Sequence, residues 1–206
     1  NGGAEMWESQ SVEGVLCADW LGLTPIPAYK IEAACASSSV AIREGILGIA
    51  SGMYDIVIAG GTEKMTNLPT ELTTMALASG TDTLYEASAG FTFPGLYASM
   101  ASAHMHEYGT TVEDLMRVSI KNHNNGALNS KAHFPLSIRD LMDMRAARAR
   151  DKGQPVPKWA DEMEFLHDPT VNPPIAWPLK LFDCCPVTDG ASCVLLVAED
   201  IARSFT

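Results

Sequence analysis

The stretch from residue 27 to residue 61 constrains this chain more than any other. Pro27–Ala34 (PAYKIEAA) has the length and residue types of a short strand. It runs into Cys35-Ala36-Ser37-Ser38-Ser39 and then VAIREGILGIASG, whose period is helical and whose sides are mostly apolar: Val40, Ala41, Ile42, Ile46, Leu47, Ile49 and Ala50. A helix apolar nearly all round is expected to be buried. Ala41, Gly45 and Gly48 leave room for another backbone, and Gly52 is a natural stop. Asp55–Gly61 follows as a strand apolar on both faces, the pattern of a covered sheet. Strand, buried helix, strand is the grammar of a βαβ unit.

A further strand of the same type, Ala191–Ala198 (ASCVLLVA), comes some 130 residues later. What lies between is far too long for a connection, so it reads as an inserted subdomain. Its texture differs. Eight of the ten methionines (Met65, Met75, Met100, Met105, Met116, Met142, Met144, Met163) and all five histidines fall there. Methionines in an insertion fill its own core or offer an adaptable apolar surface; the first role is expected for most of them. Helical period is fair over Leu96–Tyr108 and Val112–Asn122, and Gly153–Pro178, with six prolines, reads as extended or turning. The expected organisation is a core with the nucleophile over 1–64, an inserted subdomain over 65–177 and a return to the core over 178–206. The 206 residues suit one domain with a long insertion.

Composition narrows the function. Lys and Arg total 14 against 25 Asp and Glu, a net charge of 14 − 25 = −11, which argues against nucleic acid as a partner. No apolar run approaches the ~20 residues of a membrane span, and residues 1–30 lack the layout of a signal peptide. Five cysteines without metal-ligand spacing (Cys17, Cys35, Cys184, Cys185, Cys193) read as reduced thiols in a cytoplasm. The start at Asn1 reads as a piece of a longer protein.

Cys35 is the residue expected to do chemistry. It stands where a strand ends and a helix begins, followed by four small residues. Free N–H groups and the positive dipole end at a helix start favour a thiolate, and the same amides could stabilise an oxyanion on a carbonyl that the sulfur attacks. The alternative is a small structural cysteine before a helix.

Lys30-Ile31-Glu32-Ala33-Ala34-Cys35-Ala36-Ser37-Ser38, with Asp55–Met65 behind it, resembles the nucleophile segment of the thiolase superfamily. Tyr108-Gly109-Thr110-Thr111, Lys121-Asn122-His123 and Pro178–Ala191 (PLKLFDCCPVTDGA) are similar to the sterol-carrier-type and archaeal-type thiolases, in the right order over nearly the whole chain. The resemblance implies an αβαβα layered sandwich of class α/β, one half of it with an inserted loop subdomain. It implies acyl transfer between CoA thioesters, acetyl-CoA or a 3-ketoacyl-CoA, through an acyl group on Cys35, whose N–H would be one oxyanion donor. Acyl-CoA substrates, a homodimer or homotetramer, a partner acyl-CoA enzyme, and no metal or redox cofactor are implied in the same way.

The β-ketoacyl synthases share the cysteine followed by serines but lack the long insertion separating Glu63 from Asp183. The departure within thiolases is that no histidine here sits in a Gly-His-Pro segment, and the second acid/base cysteine is missing. Both belong to a second half of that fold. The chain is therefore expected to be about half of a thiolase, unable to turn over as written. A non-catalytic acyl-CoA-binding scaffold subunit is the alternative.

Tyr97, His104, Arg148 and Cys185 are expected to approach CoA, Cys185 beside the pantetheine arm. The competing readings are ordinary ones: a partly buried histidine, structural thiols in a tight turn, and a charged helix. Arg139, Arg145, Arg148, Arg150, Lys152 and Lys158 could fork onto CoA phosphates, but the interleaved Asp140, Asp143 and Asp151 suit a solvated face. Met144–Asp168 reads as a subfamily elaboration, being longer than in the archaeal thiolases.

Overall fold

A computed structural model describes residues 9–205; residues 1–8 of the expected core lie outside them. The chain divides into two compact units, one running to Ala87 and resuming at Val187, the other Ser88–Pro186. Residues 65–87 thus group with the first unit and 178–186 with the second.

The first unit contains helix α1 (Glu13–Trp20), helix α2 (Ser37–Ala50), strand β1 (Ile56–Glu63) and helix α3 (Thr70–Ala78). After the second unit it closes with strand β4 (Gly190–Val197) and the short helix α8 (Glu199–Ala202). β1 pairs with β4 antiparallel in an unbroken register from Ile56↔Val197 to Glu63↔Gly190. Val57 and Leu196 are partners in that register, and both reach Gly45: a Cβ there would stand 2.7 Å from Leu196 Cδ1 and 3.2 Å from Val57 Cγ1. The absent side chain lets α2 lie close on this face of the pair.

Four expectations change here. Residues 27–33 form no strand, and β1 is joined to β4 rather than to a parallel neighbour. A strand exists through its ladder, and among the described residues no strand pairs with this segment. The helix expected to be buried is buried on one side only, with Ile46 and Leu47 about half exposed. The outer face of the sheet is likewise open, Ile58 at 52% and its partner Leu195 at 58% exposure. Among the described residues no helix is long and apolar enough to cross a membrane.

The second unit contains α4 (Phe93–Tyr108), α5 (Val112–Gly126), α6 (Ile138–Asp151), α7 (Glu162–His167) and the small hairpin of β2 (Pro174–Ala176) with β3 (Leu179–Lys180). The Tyr108–Thr111 motif is a helix boundary. Gly109, at φ 71°, takes the left-handed position that ends α4. Thr111 and Asp114 then form a reciprocal capping box that starts α5. Ser137 and Asp140 do the same for α6. The proline-rich stretch contains a short helix, α7, that its composition hides; Asp161 Oδ1 caps it by accepting from Glu164 N at 2.9 Å.

The core of this unit is Met116, Ile138, Met142, Phe165, Leu166 and Val171, with Trp159, Met163 and Phe182 against it. Phe165 is fully buried, its ring edge-on to Trp159 at 4.9 Å and to Phe182 at 5.9 Å. The methionines divide: Met116, Met142 and Met163 serve this core, while Met75, Met100 and Met144 are exposed.

Candidate active site

Cys35 lies in a 3-10 turn, Ala34–Ala36, that leads directly into α2, and its side chain is exposed. The turn is unusual. Ala33 has φ −153° and ψ 40°, and Ala34 is left-handed at φ 46°, a region a residue with a Cβ seldom takes. Local hydrogen bonds surround it. Ser37 Oγ accepts from Ala33 N at 2.9 Å and donates to Ala34 O at 2.7 Å. Glu32 Oε1 accepts from Ala34 N, and Ala36 N donates to Ala33 O at 2.9 Å. The first turn of α2 meets the end of β1 at Gly61, where a Cβ would stand 3.1 Å from Ser38 Oγ.

The same end of β1 carries a second polar construction that sequence reasoning missed. Asp189, just before β4, accepts from Met65 N at 2.8 Å and Thr66 N at 3.0 Å on one oxygen. Its other oxygen accepts from Thr66 Oγ1 at 2.6 Å and Lys64 Nζ at 3.4 Å. The Thr66 hydroxyl and amide, then Met65 N–H and Lys64, hold this carboxyl down at about 2. Thr188-Asp189-Gly190 before an apolar strand was the available signal, but its partner is 123 residues away.

The other expected site residues belong to the second unit. Tyr97 and His104, seven apart on α4, share a helix face. Tyr97 is half exposed and stacked on Phe93 at 6.3 Å. His104 Nδ1 lies 2.9 Å from Thr110 Oγ1, with its ring 4.7 Å from Tyr108. Arg148 is exposed on α6, and Arg139 in the first turn of the same helix forks onto Glu162 at 2.9 and 3.2 Å. Cys185 is exposed, and burial pushes the Cys184 thiol up, assisted by Asp183 and Cys185.

The turn leading to these two cysteines is built on buried polar groups. Ser119 Oγ lies 3.0 Å from Phe182 O and 3.0 Å from Asp183 Oδ1, while Asp183 Oδ2 accepts from Lys180 N at 2.8 Å. Asn172, 1% exposed, donates to Leu166 O and accepts from Phe182 N, each at 2.9 Å. All five cysteines are free thiols, and among the described residues no cluster of three or more His, Cys, Asp or Glu could hold a metal.

Residues 8–200 match the model of the thiolase N-terminal domain, and the chain belongs to that family. It is 43% identical to an acetyl-CoA acetyltransferase of Methanothermobacter thermautotrophicus over 93% of this chain and 43% of that protein. It is 36% identical to the acetyl-CoA acetyltransferase of Methanocaldococcus jannaschii over 100% of this chain and 45% of that one. The chain thus spans less than half the length of these relatives. Among solved structures it is similar to a chain of the Ltp2-ChsH2(DUF35) aldolase, with a TM-score of 0.54 and 24% identity over 83% of this chain and 36% of that chain. The α/β thiolase fold expected from the sequence is therefore established.

Proposed function

We propose that the chain carries the nucleophile of an acyl-CoA C-acyltransferase, acting on acetyl-CoA and acetoacetyl-CoA or a longer 3-ketoacyl-CoA. Cys35 Sγ attacks the thioester carbonyl, the bond to the CoA sulfur breaks, and CoA leaves as its thiol while the acyl group stays on Cys35. In the synthetic direction the α-carbon of a second acyl-CoA then attacks this acyl group, a C–C bond forms and the Cys35 thiolate is released. In the degradative direction Cys35 Sγ attacks the 3-keto carbonyl of a 3-ketoacyl-CoA, the bond between C2 and C3 breaks, and acetyl-CoA leaves as C2 takes up a proton. CoA thiol then takes the remaining acyl group from Cys35 as a shortened acyl-CoA. The acyl-enzyme divides one difficult step into two easier ones.

The observation that carries this reading is the exposed Cys35 on its turn into α2, in a chain matching the thiolase N-terminal domain over 8–200. Groups that move protons for Cys35 and for the second substrate come from residues outside this sequence, on a longer chain or on a partner. Tyr97, His104, Arg148 and Cys185 contribute to CoA binding. No metal or redox cofactor takes part. Assembly is as a homodimer or homotetramer, with a partner acyl-CoA enzyme as a further companion. Five free thiols suit a cytoplasmic site of action in lipid metabolism.

Incubating the full source protein with acetyl-CoA and mapping its peptides by mass tests the reading. One acetyl group on the Cys35 peptide, absent from Cys35→Ala, is expected. No acetyl uptake by the wild type would leave an acyl-CoA-binding scaffold instead.

A further inference from the structure

Three serines follow Cys35 and Ala36, yet only Ser37 is buried, at 8% exposure. Its hydroxyl does not cap the helix it begins. It reaches back to accept from Ala33 N–H at 2.9 Å and donate to Ala34 C=O at 2.7 Å, spending its one proton and an acceptor lone pair on the turn. Between those two groups lies Ala34 at φ 46°, a conformation an L residue holds only against a steric penalty. Relaxing Ala34 to an ordinary φ would swing both the Ala34 carbonyl and the chain that follows, and the next residue is Cys35.

We infer that Ser37 is a positioning residue: its buried hydroxyl clasps both sides of left-handed Ala34 and thereby fixes Cys35 Sγ at the mouth of α2. This rests on Cys35 being the nucleophile. Ser37 touches no substrate; it acts through the backbone. The clasp also gives the CASSS sequence a division of labour, since Ser38 faces Gly61 instead.

A double-mutant cycle separates positioning from general support of the fold. Glycine takes a left-handed φ without penalty, so Ala34→Gly should make the clasp dispensable. The readout is the rate of iodoacetamide alkylation at each cysteine of the full protein, resolved by peptide mass spectrometry. Ser37→Ala should slow alkylation at Cys35 roughly fivefold to tenfold, the size of one or two net hydrogen bonds. Rates at Cys17 and Cys193 should hold. Ser37→Thr, which keeps the hydroxyl, and the double variant Ser37→Ala/Ala34→Gly should both return Cys35 to within twofold of wild type.

A Cys35 rate unchanged in Ser37→Ala, or a loss that Ala34→Gly does not restore, overturns the proposal. If Ser37→Ala does not fold, the double variant decides: recovery of fold and Cys35 rate supports the clasp, and continued failure overturns it. Alkylation needs no CoA chemistry, so a wild type that takes no acetyl group refutes the nucleophile reading while this cycle still reports on Ser37.

Discussion

Asp189 and Thr66 are joined twice, Thr66 N–H to one carboxylate oxygen at 3.0 Å and the Thr66 hydroxyl to the other at 2.6 Å. Charge on Asp189 is therefore favoured in the folded chain, and its carboxyl is held at about 2 against an ordinary 3.8. A depressed folded value contributes stability that is whole above the unfolded value and disappears as pH falls through the folded one. The wild type should lose this contribution between about pH 4 and pH 2. Asp189→Asn should be less stable at pH 7, and its difference from wild type should shrink across that window. Urea midpoints at pH 7, 4, 3 and 2 measure this; a constant difference refutes it.

Gly60 and Gly61 are neighbours with opposite tolerances. A Cβ on Gly60 would lie 2.5 Å from Ser192 O and 2.7 Å from Cys193 Cα, which are backbone atoms of the paired strand. Gly60→Ala must therefore push β4 away, at a cost of about 1–3 kcal/mol. At Gly61 the nearest atom is Ser38 Oγ at 3.1 Å, the tip of a side chain that can turn. Gly61→Ala should cost well under half as much in the same denaturant titration.

Phe165 is fully buried among Trp159, Phe182 and Met116 in the second unit. Phe165→Ala should destabilise that unit by about 3–5 kcal/mol, seen as an earlier loss of Trp159 fluorescence change on urea unfolding.

Ser119→Ala removes the hydroxyl that lies between Phe182 O and Asp183 Oδ1. The cost should be about 1–3 kcal/mol, because the hydroxyl's one proton, shared between a carbonyl and a carboxylate, is lost from a part-buried site. Hydrogen exchange should quicken at Phe182 and Cys184, whose amides donate to Asn172 and Leu181 within the same turn. Unchanged exchange there would mean that the turn does not depend on Ser119.

Cys184 and Cys185 should differ in reactivity although they are adjacent. Burial, then Asp183 and Cys185, push the Cys184 thiol up, while Cys185 is exposed. At pH 8 iodoacetamide should label Cys185 first, and equal rates would contradict the burial of Cys184.

The parts legible in the sequence were those decided locally. Leu96–Tyr108 and Val112–Asn122 read as helices because period and caps lie within a few residues, and both are found with ends extended by a few positions. The turn after Ala34 was legible because small residues follow a cysteine at a helix start. The strand over 27–34 was misread because a strand is decided by its neighbour, and the residues themselves only permit it. Helix α7 was hidden by prolines on both sides of it, its cap Asp161 carrying the only local sign. Apolar faces at Ile46, Ile58 and Leu195 were read as covered, yet apolarity tells only that cover is wanted. Asp189 was overlooked because its donors are more than 120 residues back along the chain.

That carboxylate ties together the two places where the chain leaves β1 and returns to β4. The entropy of closing a loop rises only with the logarithm of its length, so doubling the segment between Thr66 and Asp189 would cost about 0.6 kcal/mol. With the knot at its base tied by side chain and backbone, the intervening stretch can be lengthened, trimmed or exchanged while Ile56 stays opposite Val197. Evolution can therefore redraft the middle of this chain at little thermodynamic expense and leave the pairing of β1 with β4 untouched.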